Sequence, residues 1–376
     1  MKVLHLISGG DGGGAKTHVI TLLKRLMNEG INVELLCIME GSFTEEARKE
    51  KIPIKIIHQK KRYSLKPIFD IKKYICKGNY DIVHCHGARA NYISFFIKNS
   101  FKIPFITTLH SDYKLDFKDS IYKQAIFMPI NAIALRKFDY ILAVTKAFKS
   151  MLIERGFDEK KLKVIYNGIN MEKEIKTLDK KEFLKTYNIP YNENYLYVGI
   201  AARLQQVKGL KHFLEASKIL LKDNKEIIFL IAGSGNLEDS MKSYIKDNNL
   251  QDNVKMLGFL NDINSFYNAL DINVLTSYSE SFPYALLEGA RLKKATIATS
   301  VGGIPEMIKD NETGFLIKPH NSKDVAKKID ILLKDKNLMS SFGESFYKYA
   351  YDHFSDKKMA KTHIDIYKNI LKETKK

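Results

Sequence analysis

The sequence predicts two α/β domains, each built on a parallel sheet with helices packed on both faces. Its 376 residues exceed the length of one ordinary domain and suit two, each able to bury its own core. Thirteen short aliphatic runs alternate with helical patterns, and these runs are apolar throughout rather than at every second residue. Such runs are typical of strands covered on both faces, as in doubly wound parallel sheets.

The predicted strands form two series along the chain. The first comprises VLHLIS (3–8), VELLCI (33–38), IKII (54–57), DIVHCH (81–86), FITTLH (105–110), YILAVT (140–145) and KVIYNG (163–168). The second comprises YLYVGIAA (195–202), IIFLIAG (227–233), VKMLGF (254–259), DINVLT (271–276), ATIATS (295–300) and GFLI (314–317). A polar stretch around residues 168–194 separates the series and is interpreted as a linker. Near the end, apolar residues at helical spacing predict a closing amphipathic helix: Ile364, Ile366, Tyr367 and Ile370.

Positive charge is concentrated in the first half of the chain. The net charge is +18; residues 1–188 hold 34 lysines and arginines against 20 acidic residues, and the remainder holds 27 against 23. This asymmetry favours an anionic partner, such as lipid head groups or an anionic acceptor. Lysine outnumbers arginine 53 to 8, so a lysine-rich proteome is the alternative explanation. Nucleic acid is not predicted as a partner, because no base-stacking platform or known reading motif is present.

Composition also bears on the compartment and on metals. No run of 18 apolar residues is present, and MKVLHLISGG is interpreted as a buried first strand rather than a signal peptide. Cys37, Cys76 and Cys85 are odd in number and lack metal-ligand spacing, so we expect buried thiols in a reducing cytoplasm. Alternation on a strand sends His84 and His86 to the face opposite Cys85, so no metal site is predicted. No cofactor is expected either.

A glycine-dense turn joins the first strand to the first helix in LHLISGGDGGGAKTHVITLLKRL. Glycines let backbone amides approach a phosphate, and the helix N-terminus adds a favourable dipole. Gly10, Gly12 and Ala15 fit the G-x-G-x-x-A dinucleotide fingerprint, so an NAD-dependent oxidoreductase or epimerase is an alternative. That fingerprint also needs an acidic residue at the end of the next strand. Glu34 falls inside this strand and Glu40 comes late, which weakens the alternative.

A second phosphate site is predicted in YVGIAARLQQVKGLKHFLEA, where a strand, a polar loop and a helix follow one another. Arg203 and Lys208 lie five residues apart in this loop. Arginine supplies a planar fork of donors and lysine a mobile point charge, so the two side chains can converge on one anion. The loop follows the carboxyl end of a parallel strand, where ligands bind in open α/β sheets.

Two glutamates bracket the stretch SESFPYALLE at residues 279–288. Ser281 is interpreted as an N-cap and Pro283 as a first-turn proline, with the helix continuing through residue 292. Glu280 then lies in the loop before the helix and Glu288 on its second turn. A carboxylate at either position can accept hydrogen bonds from sugar hydroxyls. Glu288 can accept them from the two hydroxyls of a ribose.

Several motifs, in order along the chain, resemble those of the retaining glycosyltransferases of family 4. SESFPYALLE is similar to the E-x7-E motif of that family, and ATSVGGIPE to the segment that follows it. GGDGGGAKTHV resembles its opening glycine loop, AARLQQVKG its phosphate-binding loop, TLHSD its acceptor-domain histidine segment and VIYNGIN the signature closing its first domain. The matches span about residues 3–318. Lys293, Lys294 and Ala295 stand where a glycine and a proline are common, and Asn170 replaces a frequent aspartate.

The resemblance implies a GT-B fold, two Rossmann-like doubly wound domains facing each other across a cleft. Residues 1–170 would form the acceptor-binding domain and residues 171–355 the nucleotide-sugar-binding domain. Residues 356–376 would form a helix returning to the first domain. Arg203 and Lys208 are implied to hold the diphosphate of the nucleotide sugar, and Gly10, Gly12 and Gly13 to approach it from the other domain.

The remaining implied contacts concern the sugar and the ribose. Glu280 and the backbone near Phe282 and Pro283 would contact the donor sugar, Glu288 the ribose, and His110 the 6-position or reaction centre of the sugar. The implied enzyme is a retaining, metal-independent hexosyltransferase of cell-envelope polysaccharide biosynthesis, with UDP as the commonest donor nucleotide.

The acceptor is expected to be a lipid-linked or cell-surface glycan, with the enzyme cytoplasmic and peripheral at the inner face of the plasma membrane. IKIIHQKKRYSLKPIFDIKKYICK and SIYKQAIFMPINAIALRKF combine basic side chains with apolar anchors, which suits an anionic membrane surface. A core helix and a solvated face explain the two stretches equally well. A basic, non-catalytic membrane or nucleic-acid binder is the remaining alternative.

Overall fold

The structure, a computed structural model, describes residues 1–10, 13–59, 66–114 and 121–374, with only the backbone for residues 121–127. The chain divides into two compact units. Unit 1 comprises Met1–Asn170 with Ser355–Lys376, and unit 2 comprises Met171–Phe354.

Within its described residues, unit 1 contains a seven-stranded parallel sheet in the order β3-β2-β1-β4-β5-β6-β7. The strands are β1 Lys2–Ile7, β2 Asn32–Cys37, β3 Ile54–Ile56, β4 Ile82–His86, β5 Phe105–Leu109, β6 Tyr140–Ala143 and β7 Leu162–Val164. The helices are α1 Gly13–Asn28, α2 Ser42–Lys49, α3 Lys66–Gly78, α4 Ala88–Ile97, α5 Ile121–Lys137, α6 Lys146–Glu154 and the C-terminal α15 Asp356–Thr374.

Unit 2 contains a six-stranded parallel sheet in the order β10-β9-β8-β11-β12-β13. The strands are β8 Leu196–Ala201, β9 Ile227–Ala232, β10 Val254–Gly258, β11 Ile272–Leu275, β12 Ala295–Thr299 and β13 Phe315–Ile317. The helices are α7 Lys180–Thr186, α8 Leu210–Leu220, α9 Glu238–Asp247, α10 Ile263–Ala269, α11 Tyr284–Arg291, α12 Ile304–Met307, α13 Ser322–Lys334 and α14 Lys336–Phe354.

All thirteen predicted strands are present, and the prediction of two doubly wound parallel sheets is confirmed. The physical basis is visible in β8, whose successive side chains enter different cores. Val198 and Ile200 pack in one apolar cluster, whereas Tyr197 packs in another. Because both faces of the strand are covered, every position is apolar and no alternation appears in the sequence.

The segment interpreted as a linker is partly helical, so that interpretation was wrong for its middle. Residues 180–186 form α7, and Asp179 caps it by accepting a 2.9 Å hydrogen bond from the amide of Glu182. Phe183 and Leu184 are buried in the core of unit 2. Two apolar residues inside a charged stretch are enough to anchor a short amphipathic helix, which the overall polarity of the stretch hides.

The C-terminal helix α15 packs within unit 1. Its start is joined to residue 169 by a bridge to Ser355 and by a 2.9 Å hydrogen bond from the amide of Asp356 to the carbonyl of Ile169. His363, Tyr367 and Ile370 are buried along its inner face. The predicted closing amphipathic helix is therefore confirmed, although Ile364 and Ile366 are only half-buried.

The cysteines differ in burial. Cys37 and Cys85 are buried as predicted, but Cys76 lies exposed on α3 and contradicts the expectation of three buried thiols. Burial raises the pKa of the Cys85 thiol to about 12, which makes it unreactive at neutral pH. Among the described residues, the structure contains no helix that combines the length and the apolarity needed to span a bilayer.

Candidate active site

The predicted site residues follow strands next to the points where strand order reverses. In unit 2 the reversal lies between β8 and β11, and in unit 1 it lies between β1 and β4. Ligands of open α/β sheets bind outside the carboxyl ends of strands at such points. The loops after β8 and β11 carry the predicted diphosphate and sugar residues of unit 2, and those after β1 and β5 carry the glycines and His110.

Lys208 and Glu280 form a shielded ion pair in unit 2. The distance from Lys208 Nζ to Glu280 Oε1 is 2.6 Å, and the two side chains are only 16% and 9% exposed. The hydroxyl of Ser277 donates a second hydrogen bond of 2.6 Å to the same carboxylate oxygen. Lysine has three donors, so the ammonium retains capacity for an incoming anion. The sequence predicted Lys208 and Glu280 individually but not their pairing, and it missed Ser277.

Backbone contacts hold the Lys208 loop against the segment after β11. Thr276 Oγ1 donates to the carbonyl of Lys208 at 3.1 Å, and the amide of Tyr278 donates to the carbonyl of Val207 at 2.8 Å. Gly209 has a φ of +61° and lies so close that an added Cβ would be 2.1 Å from the carbonyl oxygen of Thr276. Only glycine fits both the backbone conformation and the space.

A third loop closes on Glu280 from β12. Thr299 Oγ1 donates to the carbonyl of Ser277 at 2.6 Å. Gly302 has a φ of +54°, and an added Cβ would be 1.7 Å from the carbonyl oxygen of Glu280. The glycine turn in SVGGIPE therefore positions the backbone of Glu280, which is a more specific role than the sequence indicated.

Arg203 lies exposed in the loop after β8, and no ion pair engages its side chain within the described part of the chain. Two glycines after β9 pack on the backbone of this loop. A Cβ on Gly233 would be 1.9 Å from the carbonyl oxygen of Ala202, and a Cβ on Gly235 would be 2.4 Å from that of Leu204. The GSG turn at residues 233–235 was a missed signal, since a G-x-G after an apolar strand was visible in the sequence.

The N-cap predicted at Ser281 is corrected by the structure. Helix α11 begins at Tyr284 with Pro283 as its N-cap, and no side chain caps it. The buried ring of Phe282 packs 5.1 Å from that of Phe354 in an edge-to-face arrangement. This apolar anchor fixes where the loop enters the helix, so Glu280 lies in the loop before α11 as expected.

Glu288 occupies the second turn of α11, as predicted, in buried surroundings. Burial raises the pKa of its carboxyl group, while Arg291 and Tyr267 act in the opposite direction. Burial and then the charge of Glu288 raise the pKa of the hydroxyls of Tyr267 and Tyr284. The predicted contact of Glu288 with a ribose stays a prediction.

The glycine loop of unit 1 is described only in part. Gly10 is exposed, and Gly13 begins α1 with a φ of +63°, whereas Gly12 lies outside the described residues. The carboxylate of Glu34 accepts hydrogen bonds from the hydroxyls of Tyr74 and Tyr80, so it is occupied within the fold. This engagement removes Glu34 as the acidic partner of a dinucleotide ribose.

His110 follows β5, and its ring contacts other histidines. Its Nε2 lies 3.2 Å from Nδ1 of His86. Burial, and then the neighbouring His363, lowers the pKa of His110 to about 3, so the imidazole is neutral at physiological pH. The loop that follows is fixed by a bidentate ion pair of Arg155 with Asp112, at 2.6 and 2.8 Å.

The histidine cluster, as we call it, is the main feature that the sequence did not predict. Its members, from five separate segments of unit 1, are His5, His18, His84, His86, His110 and His363. All but His110 are fully buried. As predicted from alternation, His84 and His86 share one face of β4, with ring centroids 4.3 Å apart. No sequence spacing could show that the other four join them.

Two family models match the chain in succession. Residues 12–173 match the model described as Glycosyltransferase Family 4, and residues 179–349 match the model described as Glycosyl transferases group 1. Together these matches span most of both units.

Individual proteins and solved structures are also similar to this chain over most of its length. An uncharacterized glycosyltransferase of Methanocaldococcus jannaschii is 29% identical over 342 residues, covering 89% of this chain and 88% of its own. UDP-Gal:alpha-D-GlcNAc-diphosphoundecaprenol alpha-1,3-galactosyltransferase of Escherichia coli is 25% identical and covers 84% of each chain. The crystal structure of Anabaena HepE in complex with UDP superimposes with a TM-score of 0.85 at 20% identity, covering 98% of this chain and 100% of that one.

Proposed function

The chain belongs to glycosyltransferase family 4 and has the GT-B fold, and from this premise we propose that it moves a sugar from a UDP-sugar to a hydroxyl of a lipid-linked or cell-surface glycan. The observation that carries the proposal is the shielded Lys208–Glu280 pair, together with the exposed Arg203 five residues before Lys208 in the same loop. The NAD-dependent alternative and the non-catalytic binder lose their support, since neither belongs to this family.

The anion site supplies the driving interaction for transfer. When the bond between the sugar carbon and the diphosphate oxygen breaks, negative charge grows on the departing phosphate. Arg203 brings a planar fork of donors and Lys208 a point charge whose position is fixed in advance by Glu280. Preorganised charges stabilise the transition state more than the ground state, because they need not reorganise as the bond breaks.

We assign retention of configuration and no protein nucleophile. The acceptor hydroxyl attacks the anomeric carbon from the face that the diphosphate leaves, and its proton passes to the departing phosphate oxygen. We assign no metal to this step, because Arg203 and Lys208 donate hydrogen bonds to the departing phosphate. His110 is neutral, which suits a hydrogen bond to a sugar hydroxyl rather than an ionic contact.

Glu280 and Glu288 have different roles in this proposal. Glu280 holds Lys208 and, with the backbone near Phe282 and Pro283, contacts the donor sugar. Glu288 accepts hydrogen bonds from the ribose hydroxyls. Gly10, together with Gly12 and Gly13, allows the backbone to approach the donor. The choice of UDP is supported by the UDP-Gal specificity in the name of the Escherichia coli relative and by the UDP complex of HepE.

The acceptor side is assigned to unit 1, which we propose to contact an anionic membrane surface from the cytoplasm. Helix α4 packs against α3 and α5, and each helix presents an exposed apolar side chain: Phe69 is 67% exposed, Phe96 51% and Ile133 53%. Exposed lysines, including Lys73 and Lys77 on α3, accompany them. Apolar anchors with basic neighbours suit anionic head groups. Residues 60–65 of the first basic stretch lie outside the described residues.

The donor site is tested by thermal unfolding of the purified chain with UDP, GDP, ADP or NAD, for the wild type, Arg203→Ala and the control Lys211→Ala. Lys211 is an exposed lysine on α8 near the same loop. A ligand that binds only the folded state raises the unfolding temperature. We expect UDP to stabilise the wild type and Lys211→Ala, but not Arg203→Ala. Stabilisation by NAD alone, or an equal UDP effect in all three proteins, would contradict the proposed site.

Transfer itself is tested with UDP-sugars and lipid-linked glycan acceptors after treatment with EDTA. The anomeric configuration of the product, read by nuclear magnetic resonance, is expected to match that of the donor. An inverted product or loss of turnover on metal removal would contradict the assigned chemistry while leaving the donor site intact.

A further inference from the structure

Three histidines bring ring nitrogens together at the carboxyl ends of β4 and β5. They are His18 on α1, His86 on β4 and His110 after β5, and one nitrogen of each lies within 4.8 Å of the others. His86 Nδ1 and His110 Nε2 are 3.2 Å apart. In a tetrahedral zinc site, with Zn–N bonds of about 2.0–2.1 Å, neighbouring ligand nitrogens lie roughly 3.3–3.4 Å apart. One pair already has this spacing, and the other separations need to shorten by at most about 1.5 Å.

The tautomer of His18 is determined by Asn167. The Oδ1 atom of Asn167 lies 2.9 Å from His18 Nδ1 and can only accept, so His18 Nδ1 carries the proton and Nε2 carries the lone pair. This Nε2 is buried and has no hydrogen-bond partner within the described part of the chain. A buried lone pair without a donor is costly, and a cation relieves that cost.

His86 has a matching partner on its other side. Its Nε2 lies 3.0 Å from Nδ1 of His5. When His86 Nε2 donates this hydrogen bond, Nδ1 carries the lone pair and accepts from His110 Nε2. An ion at this position replaces the hydrogen bond between His86 and His110, and the proton of His110 moves from Nε2 to Nδ1. Hydrogen bonds from the second nitrogen of a histidine to a neighbouring acceptor fix ring orientation in many metal sites.

A second histidine triad is close in space but less suited to a metal. One nitrogen each of His5, His84 and His86 also falls within 4.8 Å of the others. Both nitrogens of His84 are already engaged, Nδ1 with the Tyr367 hydroxyl at 2.6 Å and Nε2 with Thr108 Oγ1 at 2.7 Å. Coordination by His84 would break one of these buried hydrogen bonds. Coordination by His18 breaks none, and the bond between His86 and His110 is replaced by bonds from both rings to the ion.

We propose that His18, His86 and His110 form a binding site for a divalent transition-metal ion, with zinc as the best fit. Three imidazole ligands suit zinc, copper and nickel, and a three-histidine set leaves a fourth position open. His110 is partly exposed and is the ligand of the three with surface accessible to solvent. The sequence expectation of no metal site considered only neighbouring residues, while these ligands come from three distant segments.

The site bears on transfer through His110. If the proposed function holds, a bound ion competes with the contact between His110 and the donor sugar and so inhibits transfer. Metal binding itself does not depend on the proposed function, and its test uses no substrate.

The test is titration of the chelator-stripped full chain with Co²⁺, which replaces zinc and reports its ligands by visible absorption. We expect one Co²⁺ per chain, displaced by equimolar zinc. His18→Gln and His110→Ala are each expected to weaken binding at least about a hundredfold, since each removes a ligand. His84→Gln, from the same cluster, and His58→Ala, an exposed histidine, are the matched controls and should bind as the wild type does.

Three results would overturn the proposal. They are the absence of a Co²⁺ band in the wild type, unchanged binding in His110→Ala, and loss of binding in His84→Gln with retention in His18→Gln. Thermal unfolding checks that each variant is folded. If His18→Gln does not fold, His110→Ala decides the outcome, because His110 is partly exposed and its removal disturbs the core less.

Discussion

Units 1 and 2 share a doubly wound parallel sheet but place different polar groups near the point where strand order reverses. Unit 1 gathers neutral histidines, five of its six cluster members being fully buried. Unit 2 has a charged pair, Lys208 with Glu280, supported by Ser277. Among the described residues of unit 2, no histidine is fully buried.

The difference follows from how each group tolerates burial. An imidazole can remain in a core by losing its charge, whereas a lysine or a carboxylate needs a partner. We therefore expect the interior of unit 1 to respond to pH. Unit 2 has an interior with fixed charge, which suits an anionic ligand.

The largest expected effect is loss of stability of unit 1 in acid. The pKa of His5 and of His110 is lowered to about 3, chiefly by burial, and that of His363 to about 4. The unfolded chain binds these protons near pH 6.5, so the stability is present above that pH and declines as the pH falls towards the folded values. Charging one such histidine at pH 5 costs on the order of 2 kcal/mol. Because His363 lowers the pKa of both His5 and His110, the three contributions do not simply add.

Hydrogen exchange of the full chain at pH 7 and pH 5, corrected for intrinsic rates and in the presence of a chelator, measures this effect unit by unit. Amides of β1 and β4 are expected to lose protection, and those of β8 and β11 to retain it. Equal loss in both units would remove the contrast, since the raised pKa of Glu288 favours unit 2 as the pH falls.

The next effect concerns the charged pair. Loss of one preorganised group that stabilises a developing anion lowers kcat by about 10²–10³-fold. We expect a decrease of this size for Arg203→Ala and for Lys208→Ala. Lys208→Ala also strands the carboxylate of Glu280, so it alone should lower the unfolding temperature. Unchanged turnover in both variants, measured as UDP release beside the control Lys211→Ala, would eliminate the anion site.

A third effect sharpens the role of glycine in unit 2. Gly302→Ala is expected to destabilise the chain by about 2–3 kcal/mol, because its Cβ meets the carbonyl of Glu280 in addition to the positive φ. Gly258→Ala is the matched control, with a φ of +69° and no atom within 4 Å of the added Cβ. It should cost only about 1 kcal/mol. Equal unfolding temperatures for the two variants would mean that the backbone of Glu280 is not held by this contact.

The smallest effect lies on the surface of unit 1. Phe96→Ser is expected to reduce sedimentation with anionic liposomes about fivefold at low salt, since partial burial of a phenyl ring is worth about 1 kcal/mol. Phe259→Ser, at a 74% exposed phenylalanine of unit 2, serves as the control and should sediment as the wild type does. No sedimentation of the wild type, or equal reduction in both variants, would argue against a membrane surface on unit 1.

Much of the fold was determined by the sequence itself. Most strands, such as β8 and β9, run apolar through their length because both of their faces are covered, and this continuity depends on local composition alone. The loop positions of Arg203, Lys208 and Glu280 followed from the same periodicity, since a loop is what remains between a strand and a helix. The sequence pattern did not predict short helices that are anchored by few apolar residues. Helix α7, anchored by Phe183 and Leu184, is the example.

Only the tertiary structure decided which of these residues meet. The Lys208–Glu280 pair spans 72 residues, and His84 meets Tyr367 across 283 residues. Sequence spacing reports on neighbours along one helix or strand, whereas these contacts depend on sheet order, strand register and the packing of α15. Gly302 is a further example. Glycine is required there because an added Cβ would clash with the carbonyl oxygen of Glu280, 22 residues earlier in the chain. The local sequence pattern therefore determined which helices and strands form. The order of the strands in each sheet determined which functional side chains meet.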